Sequence, residues 1–205
     1  MSRPNNHVPI RLTPTALLSA YAHGIFPMAH SDGQIYFYDP DPRAIIPLDD
    51  RFHVSRRLKR TMKQKPYEIR FSSDFEQVMR RCAAPNIGRE TTWISNEIVR
   101  AYTLLHQLGY AHSVEAWQDG TLVGGLYGVA LGGLFAGESM FSVAQDASKI
   151  CLVYLVERLR KQGYVLLDTQ YQTRHLSTFG AIEMPSAIYR ILLQQALQMD
   201  VTFLD

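Results

Sequence analysis

A chain of 205 residues, 46% of them apolar and 11% aromatic, is long enough for one main domain with a small appendage around a sizeable core. No apolar stretch reaches the roughly 18 uncharged residues of a membrane helix, and the polar start from Met1 to Pro9 lacks a signal-peptide core, so a soluble cytoplasmic protein without a membrane partner is expected. The net charge of +2 says little as a sum, but eight of the 21 basic residues lie between Arg51 and Arg70 with Glu68 the only acid among them.

In chain order, Thr13 before Pro14 is an N-cap and first-turn signal, and Gly24 is a suitable stop, which predicts a helix over 14–23. The aromatic run Tyr36-Phe37-Tyr38 leads into Asp39-Pro40-Asp41-Pro42, where two prolines impose a rigid turn. Residues 1–50 are expected to form a small N-terminal domain and 51–205 the larger one. A basic helix from Arg56 to Lys65, capped by Ser55, is the hinge between them.

The larger part alternates. Tyr67 to Phe71 reads as a strand, Ser73 with Glu76 as a capping box for a helix to Ala83, and Ser95 as the cap of a helix that stops at Gly109. The period then changes to two: His112–Trp117, an Asp119-Gly120 turn and Leu122–Val129 make a hairpin. A strand over 134–141, a helix over 147–162 closed by Gly163, a buried strand over 164–168 and a helix over 186–197 complete the chain. The fold class is therefore α+β, a mixed sheet with helices packed on it. Cys82 and Cys151 fall in helical segments without metal-ligand spacing and read as buried thiols of a reducing compartment. The seven histidines form no HxxxH or HxH pair, so no metal site is expected.

Glu138, Asp168 and Gln170 stand at the ends of runs otherwise too apolar to be surface, and a carboxylate there needs a partner or a task. Asp168 and Gln170 are two residues apart and face the same way if a strand runs through both. The helix over 147–162 carries Leu152, Leu155 and Leu159 on one face, with Leu126 and Phe135 on adjoining strands, a pattern that core packing explains by default. The cation cluster, Arg56, Arg57, Lys59, Arg60, Lys63 and Lys65 in particular, reads either as a solvated helix face or as a footprint for polyanions.

The order of Gly137-Glu138-Ser139-Met140-Phe141-Ser142, Asp168-Thr169-Gln170, Pro40-Asp41-Pro42-Arg43, Tyr21-Ala22-His23-Gly24-Ile25-Phe26-Pro27 and Thr92-Trp93-Ile94 resembles the leucyl/phenylalanyl-tRNA:protein transferase family from about Leu12 to Leu197. The resemblance implies a GNAT-like acyltransferase fold in the larger domain, aminoacyl-tRNA as donor, proteins beginning with Arg or Lys as acceptors, no cofactor, and a product marked for regulated proteolysis as an N-degron. A monomer is expected. It implies an Asp168–Gln170 relay that removes a proton from the attacking amine, Glu138 as the binder of a positive group, and Leu126, Phe135, Leu152 and Leu155 as the walls of a pocket for the side chain of Leu, Phe or Met. Trp93 and Tyr102 match aromatics of the substrate cleft. Phe37-Tyr38-Asp39 stand where the family has Trp-Trp-Ser, and Met28 where it has Trp; Phe37 and Tyr38 can still stack on a terminal adenine.

Two other readings are set beside it. An acetyl-CoA-dependent acetyltransferase needs a glycine-rich anion loop opening a helix, and Arg160-Lys161-Gln162-Gly163-Tyr164-Val165 ends a helix instead. A non-catalytic RNA-binding module explains the basic cluster but leaves Glu138 and Asp168 without a reason.

Overall fold

The computed structural model describes residues 12–30, 32–64, 66–85 and 92–204. In chain order the elements are α1 (Pro14–Ala22), β1 (Phe26–Ala29), β2 (Ile35–Tyr38), β3 (Arg43–Ile46), α2 (Arg56–Lys63), β4 (Glu68–Phe71), α3 (Phe75–Ala83), α4 (Asn96–Gln107), β5 (Ala111–Gln118), β6 (Thr121–Leu131), β7 (Leu134–Ser142), α5 (Ala147–Gln162), β8 (Leu166–Gln170), α6 (Arg174–Ser177), β9 (Ile182–Met184) and α7 (Ser186–Leu197). Local signals set several of their ends. The side chains of Thr13, Ser55 and Ser95 accept from the backbone of Ala16, Leu58 and Ile98, and Gly163 closes α5 in the left-handed region at φ +82°. Asp119 and Gly120, at φ +50° and +74°, turn the β5–β6 hairpin.

Ser73 does not cap α3. Asp74 does, accepting from the Gln77 amide at 3.2 Å, while Ser73 gives both its amide and its hydroxyl to Glu115. Glu115, fully buried, also takes the Asp74 amide, the Ser113 hydroxyl and the Trp117 indole N–H. A buried carboxylate short of donors is costly, and its demand outweighs the choice of cap.

β1 and β2 form a two-stranded ribbon, and the remaining strands a seven-stranded sheet in the order β4-β5-β6-β7-β8-β3-β9. All its pairings are antiparallel except β7 with β8, which α5 connects. The mixed α+β class follows. One face of the sheet is covered by α1, α3, α4 and α7 through Leu17, Val78, Ile98, Leu105 and Leu193, the other by α2 and α5 through Leu58, Ile150, Leu155 and Leu159. β3 and β9 have no counterpart in the elements read from the sequence. β3 lies within the stretch assigned to an N-terminal domain ending at residue 50, yet it is an inner strand of the large sheet. Cys82 and Cys151 are buried free thiols.

Two irregularities matter for the site. Opposite β6, Tyr127 pairs with Ser139 and Gly128 with Gly137, so Glu138 is an extra residue bulged out of β7. Opposite β3, Ala44 pairs with Gln170 and Ile45 with Asp168, so Thr169 is the extra residue of β8. The first bulge needs Gly128, where an added Cβ would lie 2.4 Å from the Ala136 carbonyl oxygen and from the Phe135 ring. Gly128→Ala is expected to destabilise the fold by about 1–3 kcal/mol, read as a lowered Tm; an unchanged Tm would show that the strands can part there without strain.

Candidate active site

β7 and β8 pair only at Leu134–Leu166, Phe135–Leu167 and Ala136–Asp168, and past that point they diverge. The opening is a cavity of about 280 Å³. Gly137, Glu138, Ser139 and Met140 line one side, and Thr169, Gln170 and Tyr171 another. Leu126, Leu152, Leu155, Leu167 and Leu176 make an apolar wall, with Phe26, Met28 and Trp93 at the edge contributed by the N-terminal half.

Asp168 is fully buried behind this cavity and does not line it. Its Oδ1 accepts from Arg43 Nε at 2.9 Å and from the Gln170 backbone N–H at 2.9 Å. Its Oδ2 accepts from Arg43 Nη2 at 2.5 Å and from the Tyr189 hydroxyl at 2.8 Å. Arg43, 1% exposed, also donates from Nη1 to the Gly24 carbonyl at 2.6 Å, and its guanidinium lies 4.4 Å from the Tyr189 ring centre and 5.1 Å from that of Phe26. Burial opposes the charge on Arg43, but the neighbouring Asp168 carboxylate holds it firmly protonated. Burial, then Asp168, pushes the Tyr189 phenol far above its ordinary value, so it remains a donor. Every acceptor position of Asp168 is thus served, as a buried charge requires.

The backbone bond from Gln170 to Asp168 has a geometric consequence. Gln170 stands at φ +59°, in the left-handed region that a non-glycine residue rarely occupies. The regular two-residue alternation ends there, so Asp168 and Gln170 do not share a face. The Gln170 side-chain amide turns instead to Glu138, donating from Nε2 to Oε1 at 3.4 Å. Asp168 therefore acts on Gln170 through the main chain and not through its amide hydrogens.

Glu138 Oε1 also accepts from the Tyr21 hydroxyl at 2.7 Å, and Tyr21 is in turn bonded to the Tyr102 hydroxyl. Burial, opposed by the Tyr21 hydroxyl and by Arg43 but reinforced by the Asp168 charge, raises the Glu138 carboxyl to about 8. At neutral pH it is poised between its two protonation states, as a proton-handling group requires.

Of the residues expected from sequence, the structure brings Glu138, Gln170, Leu126, Leu152, Leu155 and Trp93 together around the cavity. Phe135 is not on it: the side chain is fully buried and packs on Phe203, ring centres 5.3 Å apart, because the bulge of β7 begins only beyond Gly137. Tyr102 is likewise fully buried, behind Tyr21. Phe37 and Tyr38 lie on β2, half-buried; Tyr38 stacks on Phe26, which does reach the cavity. On α2, Arg56, Lys59, Arg60 and Lys63 are exposed, while Arg57 pairs with Asp146 at 3.0 Å; Lys65 lies outside the described residues. Reasoning from sequence missed Arg43, Tyr21 and Tyr189 as parts of the site. The signal for the first two was present in the Pro-Asp-Pro-Arg and Tyr-Ala-His-Gly runs, but nothing local to Tyr189 marks it.

The profile of the leucyl/phenylalanyl-tRNA protein transferase family matches residues 45–194, and that of the family's N-terminal domain residues 11–41. The chain belongs to this family. A leucyl/phenylalanyl-tRNA–protein transferase from Herpetosiphon aurantiacus is 61% identical over 94% of this chain and 98% of its own length. The enzymes of that name from Rubrobacter xylanophilus and Gloeobacter violaceus are 54% and 52% identical, each over 95% of this chain and over 100% and 98% of their own. Among solved structures, L-PGS from Bacillus licheniformis aligns over 78% of this chain and 66% of its own with a TM-score of 0.48 at 13% identity, too distant to bear on fold or function.

Two outcomes follow from the geometry. Arg43→Met leaves the Asp168 carboxylate buried without its cation and is expected to cost about 3–5 kcal/mol, read in denaturant unfolding; a loss well under 1 kcal/mol would mean that the fold does not depend on the ion pair. Glu138 holds a proton in the fold at pH values where the unfolded carboxyl, at its ordinary 4.5, has lost it. Its contribution is present below the unfolded value and lost as pH rises through about 8. Glu138→Gln should therefore flatten the fall in Tm between those limits; an identical Tm profile in the variant would remove the raised carboxyl.

Proposed function

We propose that this chain moves a leucyl, phenylalanyl or methionyl group from its tRNA ester to the free amine of a protein that begins with Arg or Lys, in the cytoplasm and as a monomer, creating an N-degron. The observation that carries this reading is the joining, in one cavity, of an apolar pocket to a proton-handling pair: Leu126, Leu152 and Leu155 end on Glu138 and Gln170. An aminoacyl ester is already activated, so the transfer needs no ATP and no metal. It needs the two substrates in line, a proton taken from the amine, and help for the departing ribose oxygen.

The Gln170 amide nitrogen is engaged by Glu138, which leaves the amide oxygen as the acceptor for the attacking amine. In its ionised form Glu138 takes the proton from the attacking amine as the C–N bond forms and returns it to the ribose oxygen as the ester C–O bond breaks, or it binds the positive group of a substrate. Asp168 and Arg43 position the turn that presents Gln170 and do not touch substrate. The seven-stranded mixed sheet, with the parallel β7–β8 pair joined by α5 and parting at the site, supports a GNAT-like arrangement of the larger domain. The exposed cations Arg56, Lys59, Arg60 and Lys63 of α2 meet the phosphate backbone of the donor.

Transfer to a peptide starting with Arg, followed by mass measurement, tests the reading, and its absence with leucyl- and phenylalanyl-tRNA would reject it. The apolar wall of Leu126, Leu152, Leu155, Leu167 and Leu176 offers a donor side chain no hydrogen-bonding partner. Leucyl and phenylalanyl donors should therefore differ only modestly, and an aspartyl or arginyl donor, whose charge would be desolvated without a partner at a cost of several kcal/mol, should be poorer by roughly 10³-fold in kcat/KM; efficient aspartyl transfer would contradict the pocket assignment. Changing Arg56 and Arg60 together to Ala should lower the slope of log affinity against log salt for tRNA by about one for each phosphate that is no longer neutralised, and an unchanged slope would place the tRNA elsewhere.

A further inference from the structure

The two faces of α5 differ in what they border. Leu152 and Leu155 face the donor cavity, whereas Val153, Tyr154 and Glu157 line a separate groove of about 360 Å³ against α2. Val54 and Met62 complete its apolar floor, and Lys59 and Lys63, one helical turn apart on α2, form its rim. The groove is held open by fixed elements: Leu58 is buried under α2, and Arg57 ties that helix to Asp146 at the start of α5. Among the described residues neither Lys59 nor Lys63 has an ion-pair partner, so both cations are available.

We propose that this groove binds an unstacked nucleotide of the donor tRNA, with the base on Tyr154 and the adjoining phosphates on Lys59 and Lys63. The inference rests on the transferase reading for its choice of RNA, but the groove lies on the opposite side of α5 from the reacting ester and is a second contact with the donor. An apolar floor with one half-buried aromatic ring and two cations at a single edge matches the chemistry of a base carrying its own phosphates. A peptide or lipid surface would not need the ring and the paired cations together. Binding there brings the tRNA body against α2 while its ester end reaches round α5 to the cavity.

The test compares two donors, leucyl-tRNA and leucyl-adenosine, which keeps the ester end and lacks the rest of the tRNA, and adds direct binding of uncharged tRNA by anisotropy. Tyr154→Ala should weaken tRNA binding and raise KM for leucyl-tRNA by roughly 5- to 100-fold, the worth of one stacked base, with transfer from leucyl-adenosine unchanged. Tyr154→Phe should restore tRNA affinity, since the ring and not the hydroxyl stacks. Cytidine monophosphate should compete with tRNA for the unaltered protein and lose that competition in Tyr154→Ala. Normal tRNA binding by Tyr154→Ala, or an equal loss with leucyl-adenosine, overturns the groove. Failure of the unaltered protein to transfer from either donor overturns the transferase reading instead, and uncharged tRNA binding then still decides the groove.

Discussion

Asp168 carries a carboxylate into a place fully closed to water, and the rest of the site is arranged around keeping it there. Desolvating such an ion costs several kcal/mol, as does its partner, and the pair is tolerable only when every remaining lone pair is met. Arg43, Tyr189 and the Gln170 amide meet them. These donors come from β3, α7 and β8, so one charge draws together elements from both halves of the chain. Through Arg43 the same interaction reaches the Gly24 carbonyl after α1 and the Phe26 ring on the two-stranded ribbon. A hydrophobic replacement of the pair could match it in stability. What the ion pair adds is a fixed position for the Gln170 main chain.

That position has a chemical use. With its N–H held by Asp168, Gln170 leaves the strand conformation and sends its amide towards Glu138, which the β7 bulge has turned into the same cavity. Two bulges on strands that are parting thus bring together a carboxylate and an amide that regular pleating would have kept apart. Glu138 in turn depends on Tyr21, whose phenol, pushed well above its usual range by burial and then by Glu138 itself, stays a donor. The leucines of α5 and β6 supply the pocket for the donor side chain beside this pair. The chemistry is confined to one end of an otherwise apolar hole.

How far this was legible in the sequence depends on how local each signal is. Thr13, Ser55, Ser95 and Gly163 mark helix ends through bonds within a few residues, and the Asp119-Gly120 turn likewise announces its hairpin. Ser73 misled because Glu115, 42 residues away, takes the hydroxyl a cap would use. β3 and β9 are four and three residues long, too short for any period to show, and they exist because β3 pairs with β8 on one side and with β9 on the other. In the site, Glu138, Asp168 and Gln170 stood out as polar groups in apolar runs, but their mutual geometry did not. It rests on Arg43, 125 residues from Asp168, and on bulges that pairing alone reveals. Phe135 fitted the apolar stripe as well as Leu126 did; only the place where β7 turns outward separates core from pocket.

The claim that Asp168 positions Gln170, and does no more, is tested most directly by single-turnover transfer with Asp168→Asn at saturating tRNA and peptide, read beside Tm and both binding affinities. An asparagine keeps the size and one acceptor but loses the charge that holds Arg43 and the second acceptor. The account predicts a transfer rate lower by roughly 10²-fold, the scale of a displacement near 1 Å in a reacting group, with both substrates bound as before. Near-normal transfer by a folded Asp168→Asn protein, or a loss lying wholly in substrate affinity, would contradict it.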